Sequence, residues 1–284
     1  MFNDCKLICS DVDGTLLDSC HRLPTRNRDA IRRVVQQGIP FALTSGRIKG
    51  ALTCLQREIG IKGPLACLNG AYIVDSEHLV FEQTVQADVA HAILPIVAQE
   101  GLQVFLYQGE HWYADAQDDW TAYEQRVSTV PGIIEPFDRL LPRWEDAGAG
   151  FHKMLCMSDD HQAVIRCEKL LKELFSDTLT IYLSSPQYIE ILAKGIDKGV
   201  AISKLASYFG IKTRQVMAVG DYYNDIPMLD MAGMGVVMAN APEQVREHAD
   251  LVTASNDEGG LGMALEREVL GIGSGICDGY NPVR

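Results

Sequence analysis

Leu7-Ile8-Cys9-Ser10-Asp11-Val12-Asp13-Gly14-Thr15-Leu16 sets two carboxylates one residue apart, just past a short apolar run near the N-terminus. Residues i and i+2 of a strand share a side. Asp11 and Asp13 are therefore expected together where the strand opens into a loop, the usual ligand position in a parallel α/β sheet. Carboxylates this close repel each other and stay ionised together only beside a cation or with a shared proton. The pattern points to a hard-metal site with a nucleophile and an acid/base, which suits phosphate chemistry. An EF-hand fails on spacing: with Gly14 at the glycine position of the loop, its first and last ligand positions fall on Cys9 and Cys20. A solvated Asp-Gly turn stays open on this stretch alone.

A second acidic strand end follows the apolar run Val216-Met217-Ala218-Val219, in Gly220-Asp221-Tyr222-Tyr223-Asn224-Asp225. Gly220 permits close approach of backbone, and Asp221 falls at the strand tip, with Asn224 and Asp225 at the start of a helical pattern. Helix capping accounts for Asn224 as readily as a ligand role does, and accounts for Asp221 less well. Two acidic strand tips far apart in sequence can converge at the C-terminal edge of one parallel sheet. Between them, Leu43-Thr44-Ser45-Gly46-Arg47 opens a helical pattern with a hydroxyl and backbone N–H groups, an anion site or an ordinary cap. Lys198, in Gly195-Ile196-Asp197-Lys198-Gly199, begins another helix, where the macrodipole disfavours a cation and a ligand would explain it.

The order Asp-x-Asp-Gly-Thr, Ser-Gly-Arg, Lys-Gly, Gly-Asp-x-x-Asn-Asp resembles the haloacid dehalogenase-like phosphatase superfamily, in its Cof-type branch, over nearly the whole chain. Asn69-Gly70-Ala71, Met238-Ala239-Asn240-Ala241 and Asn256-Asp257-Glu258-Gly259-Gly260 also look like that branch, and Tyr222-Tyr223 departs from it, where relatives more often have a small or polar residue first. The resemblance implies a Mg²⁺-dependent phosphatase for a small phosphorylated metabolite of the sugar-phosphate class, working through an aspartyl-phosphate. It implies Asp11 as nucleophile and Asp13 as acid/base, with Lys198 and Ser45 on the transferring phosphoryl group. Gly46 and Asn240 would also bind phosphate, and Arg47 would bind substrate. Asp11, Asp13 (through its carbonyl), Asp221, Asn224 and Asp225 would hold or position the metal. A phosphotransferase or phosphosugar mutase using the same aspartates remains open, as does a non-catalytic regulatory protein.

The rest of the chain is read as an α/β protein, a doubly wound parallel sheet with an inserted smaller α+β cap. Strand–helix alternation argues for the sheet over residues 1–84 and again over 185–284. The texture changes over 85–184, where Ala87 to Gln99 is helical in pattern with Pro95 expected to kink or end it, and Pro131 to Gly150 reads as loop. Gly271-Ile272-Gly273-Ser274-Gly275 superficially resembles a dinucleotide loop, but no βαβ unit follows it and a tail is expected. The net charge of −13, from 25 basic and 38 acidic residues, argues against a broad nucleic-acid surface. No apolar run approaches a membrane span and the N-terminus does not read as a signal peptide, so a cytoplasmic location is expected. The eight cysteines form no Cys-x-x-Cys pair. Cys20 to Arg26 has a thiol-phosphatase spacing but lacks the glycines to wrap a phosphate. The sequence leaves the oligomeric state unread.

Overall fold

The computed structural model describes residues 1–272 and 281–282. The chain divides into two compact units: residues 1–46, 52–81 and 197 onward form one, and residues 47–51 and 82–196 form the other.

Among the described residues, the first unit's sheet runs in the spatial order Asn281–Pro282, Leu251–Val252, Met234–Val237, Val216–Gly220, Leu7–Ser10, Phe41–Thr44, Pro64–Cys67, Tyr72–Asp75 and His78–Glu82. The six strands from Leu251–Val252 to Pro64–Cys67 are parallel, and an antiparallel strand pairs with each end of that run. From Leu7–Ser10 the chain moves outward through Phe41–Thr44 and Pro64–Cys67, then returns to the opposite side through Val216–Gly220. The strand order therefore reverses between Leu7–Ser10 and Val216–Gly220, in register Ser10 to Val219. A parallel sheet opens its ligand crevice at such a reversal, beyond the carboxyl ends of the strands.

These central strands, LICS, FALT and VMAVG, are buried throughout. That is why they read as continuous apolar runs without alternation. Helix Thr25–Gln36 turns Ala30, Ile31 and Val34 inward. Helix Lys198–Tyr208 places Ala201, Ile202 and Leu205 in the apolar cluster that holds Leu7, Ala66 and Val216. The helices thus fix the strand ends through side chains at helical spacing.

In the second unit, a six-stranded sheet runs Leu179–Ser185, Tyr188–Ala193, Lys153–Met157, Gln103–Gln108, His111–Ala114, Ile133–Ile134. Its strands pair antiparallel except the last two. Helices Ala87–Gln99, Asp119–Ser128, Phe137–Asp146 and His161–Phe175 belong to this unit. Asp118 and Asp160 cap two of them, accepting from the N–H groups of Thr121 and of Gln162 and Ala163.

Several sequence readings shift. The second junction lies at 196/197 instead of 184/185, and the first at 81/82 instead of 84/85. Strand Tyr188–Ala193, read as the first unit's return, sits between Leu179–Ser185 and Lys153–Met157 in the other sheet. A strand followed by a helix looks the same locally whichever sheet the strand joins. Pro131 to Gly150 is not loop: it holds strand Ile133–Ile134 and helix Phe137–Asp146, whose Phe137, Leu140, Leu141 and Trp144 are buried. Their i, i+3, i+4, i+7 spacing was the available signal, masked by Pro136 and Pro142. Helix Ala87–Gln99 continues through Pro95. The Gly-rich stretch from Gly273 onward, and Cys277, lie outside the described residues. The seven described cysteines are free thiols, and Arg26 of the Cys20–Arg26 spacing is held by Glu266 at 2.7 Å.

Candidate active site

Asp11 follows the first strand and Asp221 follows Val216–Gly220, so both stand at the reversal of strand order. Asp225 comes from the short helical turn Tyr223–Asp225. One carboxylate oxygen from each of Asp11, Asp221 and Asp225 lies within 4.8 Å of the others, and all three residues are buried. Gly220 makes the approach possible, since a Cβ there would stand 2.7 Å from Asp225 Oδ2. Gly14 does the same from the opposite side, at φ +81° with its missing Cβ 2.3 Å from Asp221 Oδ2.

Lys198 explains its position at a helix start. Its ammonium donates to Asp11 Oδ1 at 2.6 Å and to Asp225 Oδ1 at 2.5 Å, with 2% of its side chain exposed. Asp197 caps the same helix by accepting from the Val200 N–H. Asp225 Oδ2 accepts from the N–H groups of Asp221 and Tyr222 at 2.8 and 3.0 Å. Asp225 is thereby fully engaged and fixes the turn that carries Asp221. Asp221 Oδ1 accepts from the Thr15 hydroxyl at 2.7 Å, a contact the sequence reading missed although Thr15 lies within the first motif.

The electrostatics are unbalanced. Burial, then the charge of Asp225, pushes the Asp11 carboxyl well above the usual range against the pull of Lys198. Burial and Asp225 push Asp221 up to about 7, opposed by the Thr15 hydrogen bond. Burial draws Lys198 down, but Asp11 and Asp225 outweigh it and hold it above its ordinary value. One cation thus serves three buried carboxylates. An all-oxygen donor set with excess negative charge fits a hard divalent cation such as Mg²⁺.

Asp13 departs from the expectation of a matched pair. Its side chain is 44% exposed, against 8% for Asp11, with His21 Nδ1 3.4 Å from Asp13 Oδ1. The strand ends at Ser10, so strand alternation no longer governs the two residues, and the loop turns where the N–H groups of Leu16 and Leu17 both donate to the Val12 carbonyl. Asp13 still raises Asp11 through its charge.

Ser45 and Gly46 follow strand Phe41–Thr44, the neighbour of Leu7–Ser10, which places them on the same sheet edge as Asp11. Asn69 donates its N–H to the Ser45 carbonyl, and Ser45 donates to Ala66, so this loop is tied to Pro64–Cys67. Asn224 is half-buried, between Tyr223 and Asp225 in the sequence. Asn240, expected at the phosphate, donates from its amide nitrogen to the Gly14 carbonyl at 3.0 Å and to Asp221 Oδ2 at 3.3 Å. Arg47 belongs to the second unit, where burial pushes the Glu124 carboxyl up and the charge of Arg47 is a minor opposing pull.

The model of the haloacid dehalogenase-like hydrolases matches residues 8–265. The chain is 31% identical to 5-amino-6-(5-phospho-D-ribitylamino)uracil phosphatase YcsE of Bacillus subtilis, over 94% of this chain and 97% of that one. It is 28% identical to YwtE, named for the same activity in Bacillus subtilis, over 94% and 99%. A solved haloacid dehalogenase-like hydrolase from Bacteroides thetaiotaomicron superposes with a TM-score of 0.81 at 30% identity, covering 93% of this chain and 99% of that one. The chain belongs to the haloacid dehalogenase-like hydrolase family, in its Cof-type phosphatase branch. Among the described residues no helix is long and apolar enough to cross a membrane.

Proposed function

We propose that this hydrolase is a Mg²⁺-dependent phosphomonoesterase for a small phosphorylated metabolite of the sugar-phosphate class, with Asp11 as its nucleophile. One observation carries the reading: the buried Asp11 carboxylate, held by Lys198, stands beside Asp221 and Asp225 at the reversal of strand order. An Asp11 oxygen attacks phosphorus, and the bond from phosphorus to the leaving oxygen breaks, giving an aspartyl-phosphate. Asp13 gives its proton to that leaving oxygen, then takes one from the water that attacks the aspartyl-phosphate. The second displacement breaks the bond between Asp11 and phosphorus, releases phosphate and returns both carboxyls to their starting states.

Lys198 neutralises Asp11 as the dianion approaches, and the Ser45 hydroxyl and Gly46 N–H donate to the phosphoryl oxygens where charge builds. Asp11, the Asp13 carbonyl and Asp221 would hold Mg²⁺, with Asn224 and Asp225 placed to fix its surroundings. When bound, the ion offsets repulsion between the carboxylates and the phosphate and supports charge on the transferring group. The second unit, 82–196, is assigned the choice of leaving group, and the cytoplasm is the expected location. Support for a phosphorylated polyol comes from YcsE and YwtE, whose named substrate carries its phosphate on a ribityl group.

The direct test is hydrolysis of an aryl phosphate and of a panel of sugar phosphates, with and without Mg²⁺. Activity is expected to vanish in excess chelator and return with Mg²⁺. Full turnover by metal-stripped protein would sink the metal assignment. A second measurement isolates Asp13. Asp13→Asn is expected to slow hydrolysis of an alkyl phosphate by about 10²–10⁴-fold, as for a typical general acid/base. The formation of the aspartyl-phosphate from an aryl phosphate should suffer much less, because that leaving group needs little protonation. Equal defects in the burst phase for both substrates would remove the acid role.

A further inference from the structure

Three side-chain amides, from three separate segments, end on the loop that carries Asp13. Asn240 Nδ2 donates to the Gly14 carbonyl at 3.0 Å, Asn27 Nδ2 to that of Leu16 at 2.8 Å, and Asn256 Nδ2 to that of Leu17 at 3.0 Å. Of the three, Asn240 also touches the acidic cluster, 3.3 Å from Asp221 Oδ2. The sense of that contact depends on which way its carboxamide faces, since one end donates and the other accepts. The backbone N–H of Asn256 lies 3.0 Å from Asn240 Oδ1. An N–H can only donate, so the amide oxygen must face Asn256 and the nitrogen must face Gly14 and Asp221. The opposite orientation would set a carbonyl-type oxygen against a carbonyl and a carboxylate.

Asn256 is itself held firmly. It is 7% exposed, its side chain is tied to Leu17, and the turn around it is closed by Ser255, whose N–H and hydroxyl both donate to Glu258 Oε2. The Gly259 N–H donates to the Asn256 carbonyl. Asn27 is anchored differently, accepting from the Gly262 N–H without reaching Asn240.

We infer that Asn256 is a positioning residue for Asp221: through its own N–H it locks the Asn240 carboxamide in the orientation that donates to the metal-holding carboxylate, and through Leu17 it keeps that N–H aimed. The inference rests on the reading that Asp221 holds Mg²⁺. Partners of this kind, one step removed from an ion, set ligand orientation, and their loss typically costs 10- to 100-fold in metal affinity or activity.

The test is thermal unfolding of the metal-stripped full-length protein titrated with Mg²⁺. It compares wild type with Asn256→Ala, Asn256→Asp, Asn240→Ala, the Asn240→Ala/Asn256→Ala double variant and Asn27→Ala. The Mg²⁺ concentration for half-maximal stabilisation is expected to rise about 10- to 100-fold in Asn256→Ala and Asn240→Ala. The double variant should be no worse than Asn240→Ala alone, because one residue acts through the other. Asn27→Ala should lower the melting temperature and leave the Mg²⁺ midpoint at the wild-type value. Asn256→Asp keeps the size and the backbone donor but turns an oxygen toward the Leu17 carbonyl, so its midpoint should rise too; it decides the matter if Asn256→Ala does not fold. A wild-type midpoint in either folded Asn256 variant, or independent losses that multiply in the double variant, would overturn the inference. Failure of both Asn256 variants to fold would make the residue a structural brace and overturn it as well. Wild-type protein that gains no stability from Mg²⁺ would defeat the metal assignment first, and this inference with it.

Discussion

Asp11→Asn is expected to abolish turnover, by about 10⁴-fold or more, as removal of a covalent nucleophile does elsewhere. No phosphorylated protein should survive an acid quench. The substitution keeps the volume of a residue that is 6% exposed, and it leaves an oxygen able to accept from Lys198. The loss should therefore appear in chemistry and not in folding. Asn is a poor nucleophile and its phosphorylated form is not a stable intermediate, so substrate can bind and wait. Substrate affinity is expected to hold or tighten, since one buried negative charge no longer faces the phosphate. The measurements are single-turnover kinetics with an aryl phosphate, mass spectrometry of the acid-quenched protein, and a circular dichroism melt to confirm folding. A phosphoryl adduct in the Asp11→Asn variant, or turnover within tenfold of wild type, would show that another residue attacks phosphorus.

The fold's centre was legible because its strands are buried on both faces, so Leu7–Ser10, Phe41–Thr44 and Val216–Gly220 each announce themselves as an apolar run that gives way to a polar residue at or just after the strand end. The cluster was legible for the same reason: an aspartate after a buried strand has few structural uses. Lys198 was marked by its conflict with a helix dipole, and two carboxylates resolve that conflict. The roles of the asparagines were not legible. Asn27 stands in register with Ala30, Ile31 and Val34, so a polar residue on an apolar stripe was its one sign. Its contact with Gly262, and the meeting of Asn240 and Asn256 on the same loop, depend on segments more than 200 residues apart in sequence. The junction near residue 196 was missed because strand membership is a long-range property, fixed by the pairing of Tyr188–Ala193 with two distant partners.

Lys198→Met carries the largest expected cost in stability. The methionine fills most of the lysine's volume, so packing changes little. What it removes is the ammonium shared by Asp11 and Asp225, residues 6% and 0% exposed. Breaking a buried ion pair by deleting one partner costs about 3–5 kcal/mol, because the remaining charge is stranded in a poor solvent. Here two carboxylates are stranded together. Against a total stability of roughly 5–15 kcal/mol for a typical domain, such a loss should be plain in a urea titration. Restoring the site's original net charge should recover much of it: adding Asp225→Asn to Lys198→Met removes one stranded charge and keeps a side chain that can still accept from the Asp221 and Tyr222 N–H groups. The double variant should accordingly be more stable than Lys198→Met alone, the reverse of what two independent damaging substitutions would give. Both variants should be catalytically dead, so stability and activity part company in the pair. If Lys198→Met unfolds within about 1 kcal/mol of wild type, a range typical of exposed ion pairs, the three-way contact does not hold the folded protein together and Lys198 serves the ligand alone.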